Sequence, residues 1–160
     1  MSNIITYRME QDELRHPCLV AEQVLDYTSS IVTTPEQAVD VANYVYSMKN
    51  LAEEMVCLIT LDSKGEILGV FRVSHGTINA SLCNPREIFL RALVSGASSI
   101  IVLHNHPSGD PSPSDKDLMV CERLKKASDM LGFIFSDFII IADTYYSFRE
   151  NDYTGFGKTA

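Results

Sequence analysis

No two cysteines in this 160-residue chain stand at C-x-x-C spacing, and none of the four has a near neighbour of its own kind: they are Cys18, Cys57, Cys83 and Cys121. That scatter excludes a thiolate zinc ribbon and argues against a disulfide framework. It reads as small buried hydrophobes in a reducing compartment. Basic charge is scarce as well. Thirteen Lys and Arg face 21 Asp and Glu, for a net charge of −8. Affinity for nucleic acid comes largely from neutralising phosphates, so a general nucleic-acid binder is not supported, although a local basic groove stays open. No apolar run approaches the ~20 residues that a membrane helix needs. The N-terminal stretch "MSNIITYRMEQDELRH" lacks the basic-then-apolar order of a signal peptide. The expected setting is the cytoplasm, with no membrane partner. Neither an internal repeat nor a low-complexity segment is present. What remains is the composition of an ordinary globular domain, 46% hydrophobic and 21% charged, long enough to bury a core without staples.

The elements can be placed from local signals. "NIITYRM" and "CLVAEQVL" are candidate short strands within an N-terminal extension, residues 1–30. In "TTPEQAVDVANYVYSM" Thr34 caps a helix, Pro35 takes its first position, and Gln37 completes a capping box. Val39, Ala42, Val45 and Tyr46 fall near one face of it. "EMVCLITLDSKGEILGVFRVS" reads as two strands about a turn at Asp62 to Gly65. The first is apolar on both faces, as a central strand is, and Glu54 stands at its beginning. "NPREIFLRALVSG" is a short helix with Asn84 as cap, Pro85 first, Glu87 completing the box and Gly96 ending it. "SSIIVLHNH" is a buried strand. After a Pro- and Gly-rich loop, Ser112 caps a helix with Pro113 first and Val120, Leu124, Ala127 and Leu131 as its core stripe. "FIFSDFIIIAD" and "YYSFRE" form a last hairpin, and 151–160 is a loose tail. Strands and helices intermix, which predicts an α/β or α+β domain, a mixed β-sheet flanked by helices.

One stretch points to chemistry. His104 and His106 are two apart at a strand end, so both imidazoles project to the same side. Two such ligands suit one metal. A third must come from another element. Asp117, on the first turns of the next helix, is the best placed, with Asp110 in reserve. A set of two nitrogens and one oxygen leaves a fourth tetrahedral position open, as in catalytic rather than structural zinc sites. Such an ion lowers the pKa of a water to about 7. A carboxylate that is not itself a ligand is then needed to move the proton, and Ser114 could support an oxyanion. H-x-H alone is a weak signal; it also fits a strand whose polar end meets a loop.

The full pattern is more specific. His104-x-His106, seven residues, then Ser114-x-x-Asp117 resembles the signature of the JAMM metalloproteases, the JAB/MPN family. The text "VSHGTINASLCNPREIFLRALVSGASSIIVLHNHPSGDPSPSDKD" resembles the RadC branch of that family. The likeness continues through "EEMVCLITLDSKGEIL" and "DFIIIADTYYSFRE", from Thr33 to Glu150, roughly three quarters of the chain. It implies a JAB/MPN domain over 31–150 with an architecture similar to cytidine deaminase. His104, His106 and Asp117 match that family's zinc ligands, and Ser114 matches its oxyanion serine. Aligning on Leu61 and Asp62 puts the catalytic glutamate at Glu54, with Glu53 the adjacent alternative; a slip of one residue on a strand would turn it to the other face. Members of the family hydrolyse peptide or isopeptide bonds, typically releasing ubiquitin-like modifiers. The RadC branch usually carries an N-terminal helix-hairpin-helix region of DNA-binding type. Thirty residues are too few for it, so the expected tie to DNA repair transfers poorly.

Rival chemistries lack their residues. Ser108 and Gly109 stand where a metallo-β-lactamase-like H-x-H-x-D-H would continue. The H-x-E and P-C-x-x-C of a deaminase are missing, as is a Walker-type loop. Asn105, Cys83, Asp115, Tyr145, Tyr146 and Phe148 read as structural, and Arg86 and His16 as surface residues. The expectation is a zinc-dependent hydrolase acting on a peptide or protein substrate of unknown identity. A binding module of DNA repair or mobile elements with a metal site, or a nuclease, is the alternative. The oligomeric state is left open.

Overall fold

The computed structural model describes residues 2–76 and 83–153 of the chain. Its frame is a seven-stranded mixed sheet with three α-helices, the α+β architecture expected of a JAB/MPN domain. In chain order come β1 (Ser2–Gln11), β2 (Pro17–Tyr27), α1 (Pro35–Tyr46), β3 (Met55–Leu61), β4 (Ile67–His75), α2 (Pro85–Val94), β5 (Ser99–Asn105), α3 (Asp115–Leu131), β6 (Ile134–Ile141) and β7 (Tyr145–Ser147). The strands lie in the order β2-β1-β4-β3-β5-β6-β7. Both candidate N-terminal strands thus join the main sheet, β1 bridging to β4 in parallel at Thr6 and Val70. Within the tail, residues from 154 onward lie outside the described residues; Tyr153 packs on Phe148 and bonds Glu122. Among the described residues no helix is long and apolar enough to cross a membrane.

β3 and β5 are buried at every position because helices cover both faces of the sheet. Val56, Leu58, Ile100 and Val102 pack with residues of α2 and α3. Their neighbours Cys57, Ile59, Ile101 and Leu103 pack with α1. Each fully buried aliphatic side chain contributes roughly 1.5–3 kcal/mol relative to exposure. A slip of one residue would exchange the two sets between differently shaped layers, so the register is well specified. β3 runs antiparallel to β5 with Val56 opposite His104. β5 and β6 are parallel and joined through α3. The turn at Asp62 is held by its own carboxylate, which accepts from Lys64 N and Glu66 N, and Gly65 takes φ +81°.

The first helix begins as expected, with Thr34 and Gln37 in a reciprocal capping box. Its buried stripe is centred one position over, on Ala38, Val41 and Ala42, with Val39, Val45 and Tyr46 at the margins. Asn84 caps α2 by accepting from Arg86 N. Glu87 does not close a box there; its carboxylate pairs with Arg86 and Arg91, which offer charge. Ser112 does not cap α3. Its N–H is taken by Asp110 Oδ1 in a side-chain turn, and the helix starts two residues later with Ser114 as cap. Leu131 leaves the core stripe and is exposed, since the buried face runs through Val120, Cys121, Leu124 and Ser128.

Candidate metal centre

Three elements meet where β5 ends. Alternation along β5 sends Ile100, Val102 and His104 to the face that α3 covers, and Leu103 and Asn105 to the other. His106 follows the last β5 residue, its N–H held by Ile141 O at 2.8 Å. The loop then turns at Gly109. There φ is +86°, which strains any residue with a side chain, and a Cβ would also sit 3.0 Å from Oδ2 of the exposed Asp143. Ser114 opens α3 one turn before Asp117. Its hydroxyl donates to Asp117 Oδ2 at 2.6 Å, its N–H donates to the same oxygen at 2.7 Å, and Asp117 N donates back to Ser114 Oγ at 3.3 Å. A capping box that normally serves only the helix end here also aims a carboxylate.

His104, His106 and Asp117 converge. One ligand atom from each lies within 4.8 Å of the others. His104 Nε2 is 3.5 Å from Asp117 Oδ1, and His106 Nε2 is 3.4 Å from Asp117 Oδ2. Ligands bonded at about 2.0–2.1 Å in a tetrahedron stand about 3.3–3.4 Å apart; each imidazole meets a different Asp117 oxygen at about that spacing, so the group could hold a metal ion. His106 Nδ1 lies 2.9 Å from Asp110 O. A carbonyl only accepts, so Nδ1 carries the proton and Nε2 is left for the centre. Asp110 therefore supports the site through its backbone and is outside the converging group.

Electrostatics agree with that division. Burial pushes His104 down to about 4, against an opposing pull from Asp117, so it is a neutral donor at pH 7. The bond to Asp117 raises His106, with burial opposing. Asp117 is pushed up by burial, yet its bonds to His106 and Ser114 prevail and hold it at about 2. Glu54 is raised above the ordinary carboxylate range, chiefly by burial. Its Oε2 lies 3.9 Å from His104 Nε2 and has no hydrogen-bond partner among the described residues. A buried acceptor without a partner, beside three residues that could hold a metal ion, fits a site built for a cation. Glu53 faces elsewhere and approaches His75 at 3.6 Å.

The family profile described as RadC-like JAB domain matches residues 32–153. The chain belongs to that family. Similar curated RadC-family relatives are named only as UPF0758 proteins. That of Thermotoga maritima is 42% identical over 116 residues, covering 72% of this chain and 52% of the relative. That of Alkaliphilus metalliredigens is 42% identical over 113 residues, 69% and 49%. The Methanosarcina mazei protein is 40% identical over 122 residues, 73% and 53%. The chain therefore spans about half the length of the curated relatives it matches. In this RadC-like JAB domain Asn105 points away from the two histidines, as expected of a structural residue, and its buried carboxamide bonds the backbone of Glu53 and Met55.

Proposed function

We propose that this domain is a zinc-dependent hydrolase that cleaves a peptide or isopeptide amide bond. The observation that carries the reading is the convergence of His104, His106 and Asp117 beside the unpartnered carboxylate oxygen of Glu54. Two imidazoles and one carboxylate, without a thiolate, suit zinc with an open position. Zinc, when bound, would supply a Lewis acid that brings a water's pKa near neutrality. Glu54, held above its usual range by burial, would accept that water's proton and deliver it to the departing amine. Ser114 would turn its hydroxyl from Asp117 to the oxygen that gains charge. The free, buried thiols of Cys57, Cys83 and Cys121 suit a reducing compartment.

The test is elemental analysis of protein purified without chelators. One zinc per chain is expected, and none in His106→Ala. A native protein free of zinc and unable to take it up would overturn the reading. Glu54→Gln should retain the zinc and lose about 10²- to 10⁴-fold in hydrolysis of a fluorogenic peptide-amide library. Undiminished hydrolysis would move the proton acceptor elsewhere.

A further inference from the structure

Asn105 sits between the two histidines in sequence but points away from them, and it is 2% exposed. Both ends of its carboxamide are used, and both on one short segment. Oδ1 accepts from Met55 N at 2.7 Å, and Nδ2 donates to Glu53 O at 3.1 Å. These bonds close on either side of Glu54. The β3–β5 ladder starts only at Val56 opposite His104, so on the β5 side this carboxamide replaces the ladder for residues 53–55. On the other side, Gly76 N donates to Glu54 O at 3.0 Å. Residue 54 is therefore anchored from both flanks, while its Oε2 has no hydrogen-bond partner among the described residues.

We infer that Asn105 is a positioning residue for Glu54: it sets the backbone of residues 53–55 so that the Glu54 carboxylate stands beside His104. Alternation then gives three consecutive residues of β5 and its end separate tasks. His104 and His106 face the metal centre, and Asn105 faces the segment that carries the acid. Only a carboxamide of this length serves both partners. Asp keeps an acceptor for Met55 N but loses the donor and sets a carboxylate against Glu53 O. A misplacement of about 1 Å at a reacting group costs up to about 10²-fold in rate.

The inference rests on Glu54 being the proton acceptor proposed above. Its test is the crystal structure and zinc content of Asn105→Ala, with the isosteric Asn105→Asp as the second variant should alanine fail to fold. Zinc should stay at one per chain, while Glu54 Oε2 moves away from His104 Nε2. Turnover of the peptide-amide library should fall about 10- to 100-fold in kcat with KM unchanged. In a Glu54→Gln background the same substitution should cost nothing further. An unmoved Glu54, or zinc lost along with Asn105 from a protein that otherwise binds it, would overturn the inference. If the native protein takes no zinc, the hydrolase reading fails, and the position of Glu54 in metal-free crystals still decides the role of Asn105.

Discussion

Asp117 and Asp137 are acids sunk against the two faces of one sheet, 7% and 2% exposed, and they come out at opposite ends of the titration range. Burial pushes both upward. Asp117 is nevertheless held at about 2, whereas Asp137 is raised to about 6. The count of donors does not explain the gap. Asp137 accepts from Ser147 Oγ at 2.5 Å and from Arg149 N at 3.0 Å. What Asp117 has in addition is two imidazoles turned toward it. Asp137 is the more deeply buried, and its bonds to Ser147 and Arg149 N, with the Arg149 charge, do not offset that burial; at Asp117 the bond to His106 adds to those of Ser114 and tips the balance. Asp137 pins the β6–β7 corner beside Pro35 and Leu61, and Asp117 stays ionised in a group that could hold a metal ion.

The largest expected difference between the two acids is in metal binding. Asp117→Ala should take the protein from one zinc per chain to none detectable by elemental analysis, because two imidazoles alone seldom hold the ion. Asp137→Asn should leave the zinc content unchanged. Equal loss from both variants would erase the distinction drawn between them.

Much of this contrast was legible in the chain, and the rest was not for identifiable reasons. The period-two projection of His104 and His106, and their distance from Asp117 across one loop, depend on local geometry, so they could be read directly. The sequence predicts the start of α3 two residues early, because Ser112 before Pro113 and Ser114 both have the form of a cap. The Asp117 backbone N–H decides between them, and it is also the residue the site needs. Glu54 came from a family likeness, not from spacing, since fifty residues separate it from His104 and only strand pairing unites them. Asp137 gave no signal at all. An acid within "FIFSDFIII" looks like a polar face until β7 brings Ser147 to it.

Asp137→Asn should sharpen the comparison through pH. The folded-state value, about 6, lies above the ordinary 3.8. The folded protein therefore holds this proton more tightly, and its stability falls as pH rises through roughly 4 to 6. A shift of that size corresponds to about 3 kcal/mol. The variant carries no charge to bury, so its stability relative to the parent should improve by about 2–3 kcal/mol between pH 4 and pH 8, measured by urea unfolding. Asp117 runs the other way. Its depressed value adds stability above the ordinary 3.8 that disappears only as pH falls toward about 2. Parallel pH profiles for Asp137→Asn and the parent would show that burial does not charge Asp137 this cost.

The smallest effects come from the two hydroxyls. Ser114→Ala deletes the cap of α3 and one donor to Asp117. It should cost about 1 kcal/mol in stability and weaken zinc about tenfold, as loss of an outer partner does. Ser147→Ala deletes a donor to Asp137 and the acceptor for Glu150 N. It should cost about 1–3 kcal/mol, more at pH 8 than at pH 4, because only the ionised Asp137 depends on that donor for its charge. Zinc affinity, followed by competition with a chromophoric chelator, should not respond to Ser147→Ala. A tenfold change there would mean that the two acids are coupled through β6, and that the division between a structural carboxylate and a ligand is not local to each face of the sheet.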